Sequence, residues 1–172
     1  MAMWTQDNEI ELKIEALGAA ACTELFGAYG VELSPSKKSW GSGDERLLSG
    51  SMGFVGRHVR GTCLLATTEK TLVESCPTNG TLRDWIGELT NQLVGRLKTK
   101  LLGCGVEVFV TTPIVLSGVR IQPLPRGNLE PSVFSAPAGD VLVWVEVEAD
   151  RGFALGSLHP GRANVEGEVI LF

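Results

Sequence analysis

Glu88 and Asn91 place a carboxylate and a carboxamide one helical turn apart, and they are the residues of this chain whose types and spacing best suit action on another molecule. They sit in the segment Thr81 to Leu102, TLRDWIGELTNQLVGRLKTKLL, where Leu82, Ile86, Leu89, Leu93 and Leu97 recur at helical spacing. At roughly 100° per residue those five side chains share one side of a helix. Asp84, Glu88, Asn91 and Gly95 then fall within about 60° of one another on the opposite side. Held on a rigid, exposed element, such a stripe can reach out into a partner. Asp84 has a second reading: with Thr81 as N-cap it occupies the third helical position, where a carboxylate favours the free N–H groups and the dipole. Gly95 costs a helix interior about 1 kcal/mol relative to Ala. Its presence therefore suggests a close backbone approach, either by a partner or by the helix's own sheet.

Other chemistries lack their residues. Around Ser51 the order SGSMG is not the Gly-x-Ser-x-Gly of a nucleophile elbow, and neither His58 nor His159 lies near an acid in a telling way. His58 reads as a hairpin residue and His159-Pro160-Gly161 as a turn. Gly41-Ser42-Gly43 and Gly103-Cys104-Gly105 lack the further glycine or the Gly-Lys-Ser/Thr ending of a phosphate loop. Cys22, Cys63, Cys76 and Cys104 are scattered, form no Cys-x-x-Cys pair and have no His at ligand spacing. They read as free core thiols in a reducing compartment, and no metal site is expected. A net charge of -5, with Lys37-Lys38 too short a basic run to matter, argues against nucleic acid. The N-terminus has no basic segment followed by an apolar one, and no apolar run approaches the roughly 18 residues of a membrane span. A soluble cytoplasmic protein is expected.

The elements that position the stripe follow from periodicity. A first helix starts at Asn8, carries Ile10, Ile14, Leu17, Ala21, Leu25 and Ala28 on one face, and ends at Gly27 and Gly30. Leu47 to Thr67 has apolar runs either side of Gly56-Arg57, which predicts an antiparallel hairpin. Glu69 to Cys76 reads as a short helix stopped by Pro77. After the long helix ends at Gly103, Val106 to Val110 and Ile114 to Ile121 read as a strand pair broken near Pro113. Pro123, Pro125, Pro131 and Pro137 make the stretch up to Gly139 a long irregular loop, in which the sequence neither supplies nor excludes an extra strand. Strands are expected at Val141 to Glu148, Phe153 to Leu158 and Asn164 to Phe172. Helices that precede and interrupt a mainly antiparallel sheet make the class α+β, and 172 residues suit one domain spanning 1–172.

In this setting, Asp84-x-x-x-Glu88-x-x-Asn91 resembles the motif of the CheC, CheX and FliY phosphatases of bacterial chemotaxis. Their pattern is an acidic residue or Ser, three positions, Glu, two positions and Asn on a long helix, followed about twenty residues later by a proline. Pro113 and Gly118 stand in that relation to Asn91, and DWIGELTNQLVGRLKTKLLGCGVEVFVTTPIVLSG runs through helix, glycine stop, strand, proline and glycine in the family's order. Gly61-Thr62-Cys63-Leu64-Leu65-Ala66 resembles the strand that precedes the family helix. The likeness is good over about Leu47 to Gly118 and loose at both ends. No second Glu-x-x-Asn occurs; the first helix has Glu11, Glu15 and Glu24 followed by Ile14, Gly18 and Gly27. A single copy makes the chain look more like CheX than like CheC.

The resemblance implies a two-layer fold with long helices packed on a mainly antiparallel sheet. It also implies hydrolysis of the aspartyl phosphate on a CheY-type response regulator. Asn91 would orient the attacking water, because its amide both donates and accepts without titrating. Glu88 would pair with the regulator's active-site lysine, and Asp84 and Gly95 would lie against the partner. No cofactor of its own is implied, since the Mg²⁺ would belong to the phosphorylated regulator. A homodimer is expected, partly from the likeness to CheX and partly because the apolar chain-end strand NVEGEVILF needs cover. The alternative is a non-catalytic CheC-like module that docks a response regulator or a flagellar switch protein. A third reading, a small-molecule-binding domain, requires a deep apolar pocket.

Overall fold

β3 (Arg46–Gly56) and β4 (Val59–Thr68) form the hairpin at the centre of the molecule, pairing antiparallel from Leu47↔Thr68 to Val55↔Arg60. The protein is described by a computed structural model over residues 4–5, 8–38, 45–77, 80–119 and 130–157. The remaining elements are β1 (Trp4–Thr5), α1 (Asn8–Ala28), β2 (Ser34–Pro35), α2 (Glu69–Ser75), α3 (Leu82–Gly103), β5 (Val108–Val110), β6 (Ile114–Val119), β7 (Ser132–Ala136) and β8 (Gly139–Asp150). Every pairing among the described strands is antiparallel, in the order β2-β7-β8-β4-β3-β5, with β1 on β8 and β6 on β3. Long helices on a mainly antiparallel sheet are the α+β architecture expected.

The core forms where one sheet face meets the helices. Because side chains alternate along a strand, Leu48, Met52 and Phe54 of β3, Val59, Cys63 and Leu65 of β4, and Val141, Val143, Val145 and Val147 of β8 point to one side. α1 adds Ile10, Ile14, Ala21, Cys22, Leu25 and Phe26, and α3 adds Trp85, Ile86, Leu89, Leu93, Val94, Leu97 and Leu101. Each buried aliphatic side chain on α3 contributes roughly 1.5–3 kcal/mol of transfer free energy. That outweighs the cost of about 1 kcal/mol for each helical glycine, so α3 holds despite Gly87 and Gly95. Gly50 lets the helix come down on the sheet: a Cβ there would lie 2.0 Å from Oγ1 of the buried Thr90. On the other sheet face Leu142, Trp144 and Ala66 form a smaller cluster with Leu64 and Val133.

Four expectations need correction or fall outside the described residues. β5 and β6 do not pair with each other; both lie antiparallel on the same side of β3, as consecutive pieces of one edge strand. Val110 pairs with Phe54 and Ile114 with Ser51, so Thr111, Thr112 and Pro113 oppose only Met52 and Gly53. This is a bulge, made where Pro113 has no N–H for the ladder and Thr111 takes over with two bonds to Gly53, N to O at 2.9 Å and Oγ1 from N at 2.9 Å. Part of the expected proline-rich loop is strand β7, a hairpin partner of β8 through Pro137-Ala138. Burial of Phe134 against the core drives it, which counting prolines does not register. Residues 153–157 are not strand: the chain turns, with Phe153 N–H donating to the Asp150 carbonyl at 3.0 Å and Gly152 at φ +80°. The strand expected at Asn164 to Phe172 lies outside the described residues.

None of the four cysteines is in a disulfide, and Cys22, Cys63 and Cys104 are buried. Burial pushes the Cys63 thiol up to about 12 and raises Cys22 and Cys104 as well. Thiols so held are protonated at neutral pH and are poor nucleophiles.

Candidate active site

Thr81 is the N-cap of α3. Its Oγ1 accepts from the Asp84 N–H at 3.1 Å, and its hydroxyl donates to Asp84 Oδ2 at 2.6 Å. Asp84 therefore fixes the capping hydroxyl of Thr81, while its exposed carboxylate still stands at one end of the stripe. From that start, the rotation of the helix puts Trp85, Ile86, Leu89, Leu93 and Leu97 in the core and leaves Asp84, Glu88, Asn91 and Gly95 exposed. All four predicted site residues lie on this outward face.

An open groove of about 600 Å³ runs between α3 and the bulge, lined by Arg83, Asp84, Gly87, Glu88, Asn91, Thr111, Thr112, Pro113 and Val115. Its lining is largely polar, unlike the apolar walls of a small-molecule pocket. The bulge is what brings Pro113 beside the helix: a residue some twenty positions past Asn91 returns to form the opposite wall. The Asn91 carboxamide makes no hydrogen bond with any described residue, so both of its polar ends are open to the groove. Among the described residues Glu88 is held from one side only, by Gln92 Nε2 donating to its Oε1 at 2.7 Å. Gln92 in turn accepts from the Tyr29 hydroxyl at 2.9 Å. Tyr29 stands edge-on to Trp85, with ring centroids 4.9 Å apart, and the Trp85 indole donates to Ser75 Oγ at 3.0 Å.

Gly95 lies outside this groove, on the same stripe beside Gln92, Arg96 and Thr99. A Cβ at Gly95 would meet nothing within 4 Å. Packing on its own sheet therefore does not explain this glycine. His58 is a hairpin residue as expected; it pairs with Asp150 at 2.9 Å and stacks on Phe153. His159 lies outside the described residues. Among the described residues there is no cluster of three or more His, Cys, Asp or Glu able to hold a metal ion.

Sequence reasoning missed the groove wall of Arg83, Gly87, Thr111 and Thr112, together with the Gln92 and Tyr29 contacts. Gln92 was findable, being four positions from Glu88 on the same helix. Tyr29 carried no sequence signal, since it is 63 residues from Gln92.

Comparison with known proteins bears on the same region. A family model described as chemotaxis phosphatase CheX matches residues 47–134, which include the central hairpin, all of α3 and the bulge. Among solved structures, CheX from Vibrio vulnificus superimposes with a TM-score of 0.67 at 23% identity, over 78% of this chain and 96% of that one. A CheC-like superfamily protein from Shewanella gives 0.67 at 22% identity, over 79% and 97%. CheX of Borrelia burgdorferi, solved in complex with CheY, BeF3 and Mg²⁺, gives 0.56 at 15% identity, over 80% and 97%. No curated protein matches significantly by sequence. The fold shared with those structures, and a family match that takes in slightly more than half of the chain and the whole Glu88–Asn91 helix, make this protein a member of the chemotaxis phosphatase CheX family.

Proposed function

We propose that the protein hydrolyses the aspartyl phosphate of a CheY-type response regulator, with Asn91 orienting the attacking water and Glu88 anchoring the regulator. The observation that carries this reading is the exposed Glu88–Asn91 pair facing the Thr111–Pro113 bulge across an open groove, in a chain of the CheX family. The Borrelia burgdorferi CheX complex with CheY supports the choice of partner.

An acyl phosphate is already reactive, so positioning accounts for most of what such a catalyst must supply. Asn91 accepts a hydrogen bond from one water O–H and directs the water oxygen at phosphorus, opposite the departing carboxylate. A P–O bond forms to water, the P–O bond to the aspartyl carboxylate breaks, and the leaving carboxylate takes the electron pair. The products are inorganic phosphate, the free aspartate and the proton lost by water. Mg²⁺ on the regulator would neutralise charge on the phosphoryl oxygens. Glu88 has one carboxylate oxygen without a bond to any described residue, and this oxygen pairs with a lysine of the regulator. Asp84 and Gly95 border the contact.

The test is release of inorganic phosphate from CheY-type receiver domains phosphorylated with acetyl phosphate, with and without this protein. Faster discharge of at least one receiver is expected. Binding of a phosphorylated receiver without any acceleration would instead mark a docking module.

We place the protein in the cytoplasm, where such regulators act; no helix among the described residues is long and apolar enough to cross a membrane. A homodimer remains part of the reading. Phe109, Ile114, Leu116 and Val119 are exposed along the β5–β6 edge, and such an edge favours cover by a second chain. A dimer mass by light scattering at micromolar concentration is expected, and a monomer mass would remove this part of the proposal.

A further inference from the structure

Glu88 is not left to find its own orientation. A carboxylate only accepts hydrogen bonds, so Gln92 must present Nε2 to it. The amide oxygen of Gln92 is then turned toward Tyr29, whose hydroxyl must donate to it. The polarity of the whole chain, Tyr29 to Gln92 to Glu88, is thus set by the carboxylate at its end. Both intermediate side chains are half-buried, and the Tyr29 ring is fixed against Trp85, itself bonded to the buried Ser75. A Glu–Gln pair four residues apart is common on helix surfaces and orders little alone. Here its far end is tied to a second segment, the turn that follows α1.

We propose that Gln92 and Tyr29 are positioning residues that hold Glu88 in the orientation that receives the partner's cation. The proposal rests on the reading of Glu88 as the regulator's anchor. A glutamate free to rotate must be ordered when the partner docks, and that ordering weakens association. With Oε1 held by Gln92, the direction of Oε2 is set before the partner arrives. Because Glu88 anchors and Asn91 orients water, loosening Glu88 should affect docking and leave the chemical step alone.

The experiment measures steady-state discharge of the most rapidly hydrolysed acetyl-phosphate-charged receiver by wild type, Tyr29→Phe, Gln92→Met, Glu88→Ala and the double variant Glu88→Ala/Gln92→Met. Tyr29→Phe removes one oxygen and keeps the ring against Trp85; Gln92→Met keeps length and removes both hydrogen bonds. The expected result is a KM raised about 5-fold or more in both single variants, with kcat within about 2-fold of wild type. In the Glu88→Ala background, Gln92→Met should change KM no further, because a coupled pair is non-additive. Normal KM in Tyr29→Phe and Gln92→Met, with Glu88→Ala impaired, overturns the positioning role and leaves the anchor standing. An added loss in the double variant likewise overturns it, since Gln92 would then act independently of Glu88. Wild-type behaviour of Glu88→Ala removes the anchor itself, and the positioning role with it. Thermal unfolding of each variant guards against a folding defect: if Tyr29→Phe lowers the midpoint, Gln92→Met, outside the core, decides alone.

Discussion

The two long helices carry similar acidic series and use them in opposite ways. α1 and α3 have 21 and 22 residues and lie side by side on the same sheet face. Counting from Glu11 and from Asp84, Glu11, Glu15, Gly18 and Cys22 of α1 stand at the spacings of Asp84, Glu88, Asn91 and Gly95 of α3. On α3 all four are exposed. On α1 Glu11 and Glu15 are half-buried, Gly18 is pressed against Val145 and Cys22 is fully buried. Burial raises both glutamates above the ordinary carboxylate range, with Glu15 and Glu146 raising Glu11 further and Ser132 partly offsetting the shift of Glu15. The same spacing thus gives an exposed stripe on one helix and a packed seam on the other. What separates them is the side turned to the sheet.

This contrast predicts that Asn91→Ala abolishes most activity while leaving the fold intact, because an exposed amide without described partners adds little stability. A loss on the order of 100-fold in kcat is expected from the removal of a positioning group, with an unchanged melting midpoint. Full activity in the folded variant would sink the assignment. The reverse transplant should fail. Gly18→Asn puts the asparagine at the matching place on α1, but a Cβ there lies 2.6 Å from Val145 Cγ2. Denaturant unfolding should show a loss of about 1–3 kcal/mol from overpacking, and no second activity should appear.

Smaller effects sharpen the comparison. Glu88→Ala should weaken receiver binding by about 10-fold in titration, and Glu88→Lys more, by bringing like charges together. Gly95→Ala should stabilise the isolated protein by about 0.5–1 kcal/mol, since a methyl group meets nothing there, yet weaken receiver binding. Tighter or unchanged binding would leave Gly95 without a functional account. Glu11→Gln should have the smallest effect. The native pKa of Glu11 lies above its unfolded value, so the folded state holds the proton more tightly. Ionisation therefore costs stability at neutral pH, and the cost disappears as pH falls through the native pKa to the unfolded one. The variant should be slightly more stable at pH 7, and its advantage over wild type should vanish by about pH 4, near the unfolded glutamate value. A constant advantage at every pH would show that charge is not the cause.

The features readable from sequence were local. Five apolar residues at helical spacing were enough for α3, Gly56-Arg57 for the β3–β4 hairpin, and Glu-x-x-Asn with its downstream proline for the family, because each depends on residues close along the chain or on a preserved order. Thr81 and Asp84 were readable as a cap for the same reason. Tertiary structure alone decided what depends on distant neighbours. Phe134 made a strand out of a proline-rich stretch by burying itself against the core. Pairing with β3 turned two apparent partner strands into one bulged edge, and so placed Pro113 opposite Asn91. The empty space around Gly95 excluded packing on its own sheet as the reason for the glycine, and the chain from Tyr29 to Glu88 joined residues with no shared periodicity. Local patterns register whether a side chain is apolar and where it lies on its own element. They carry no information on what the rest of the chain brings to meet it.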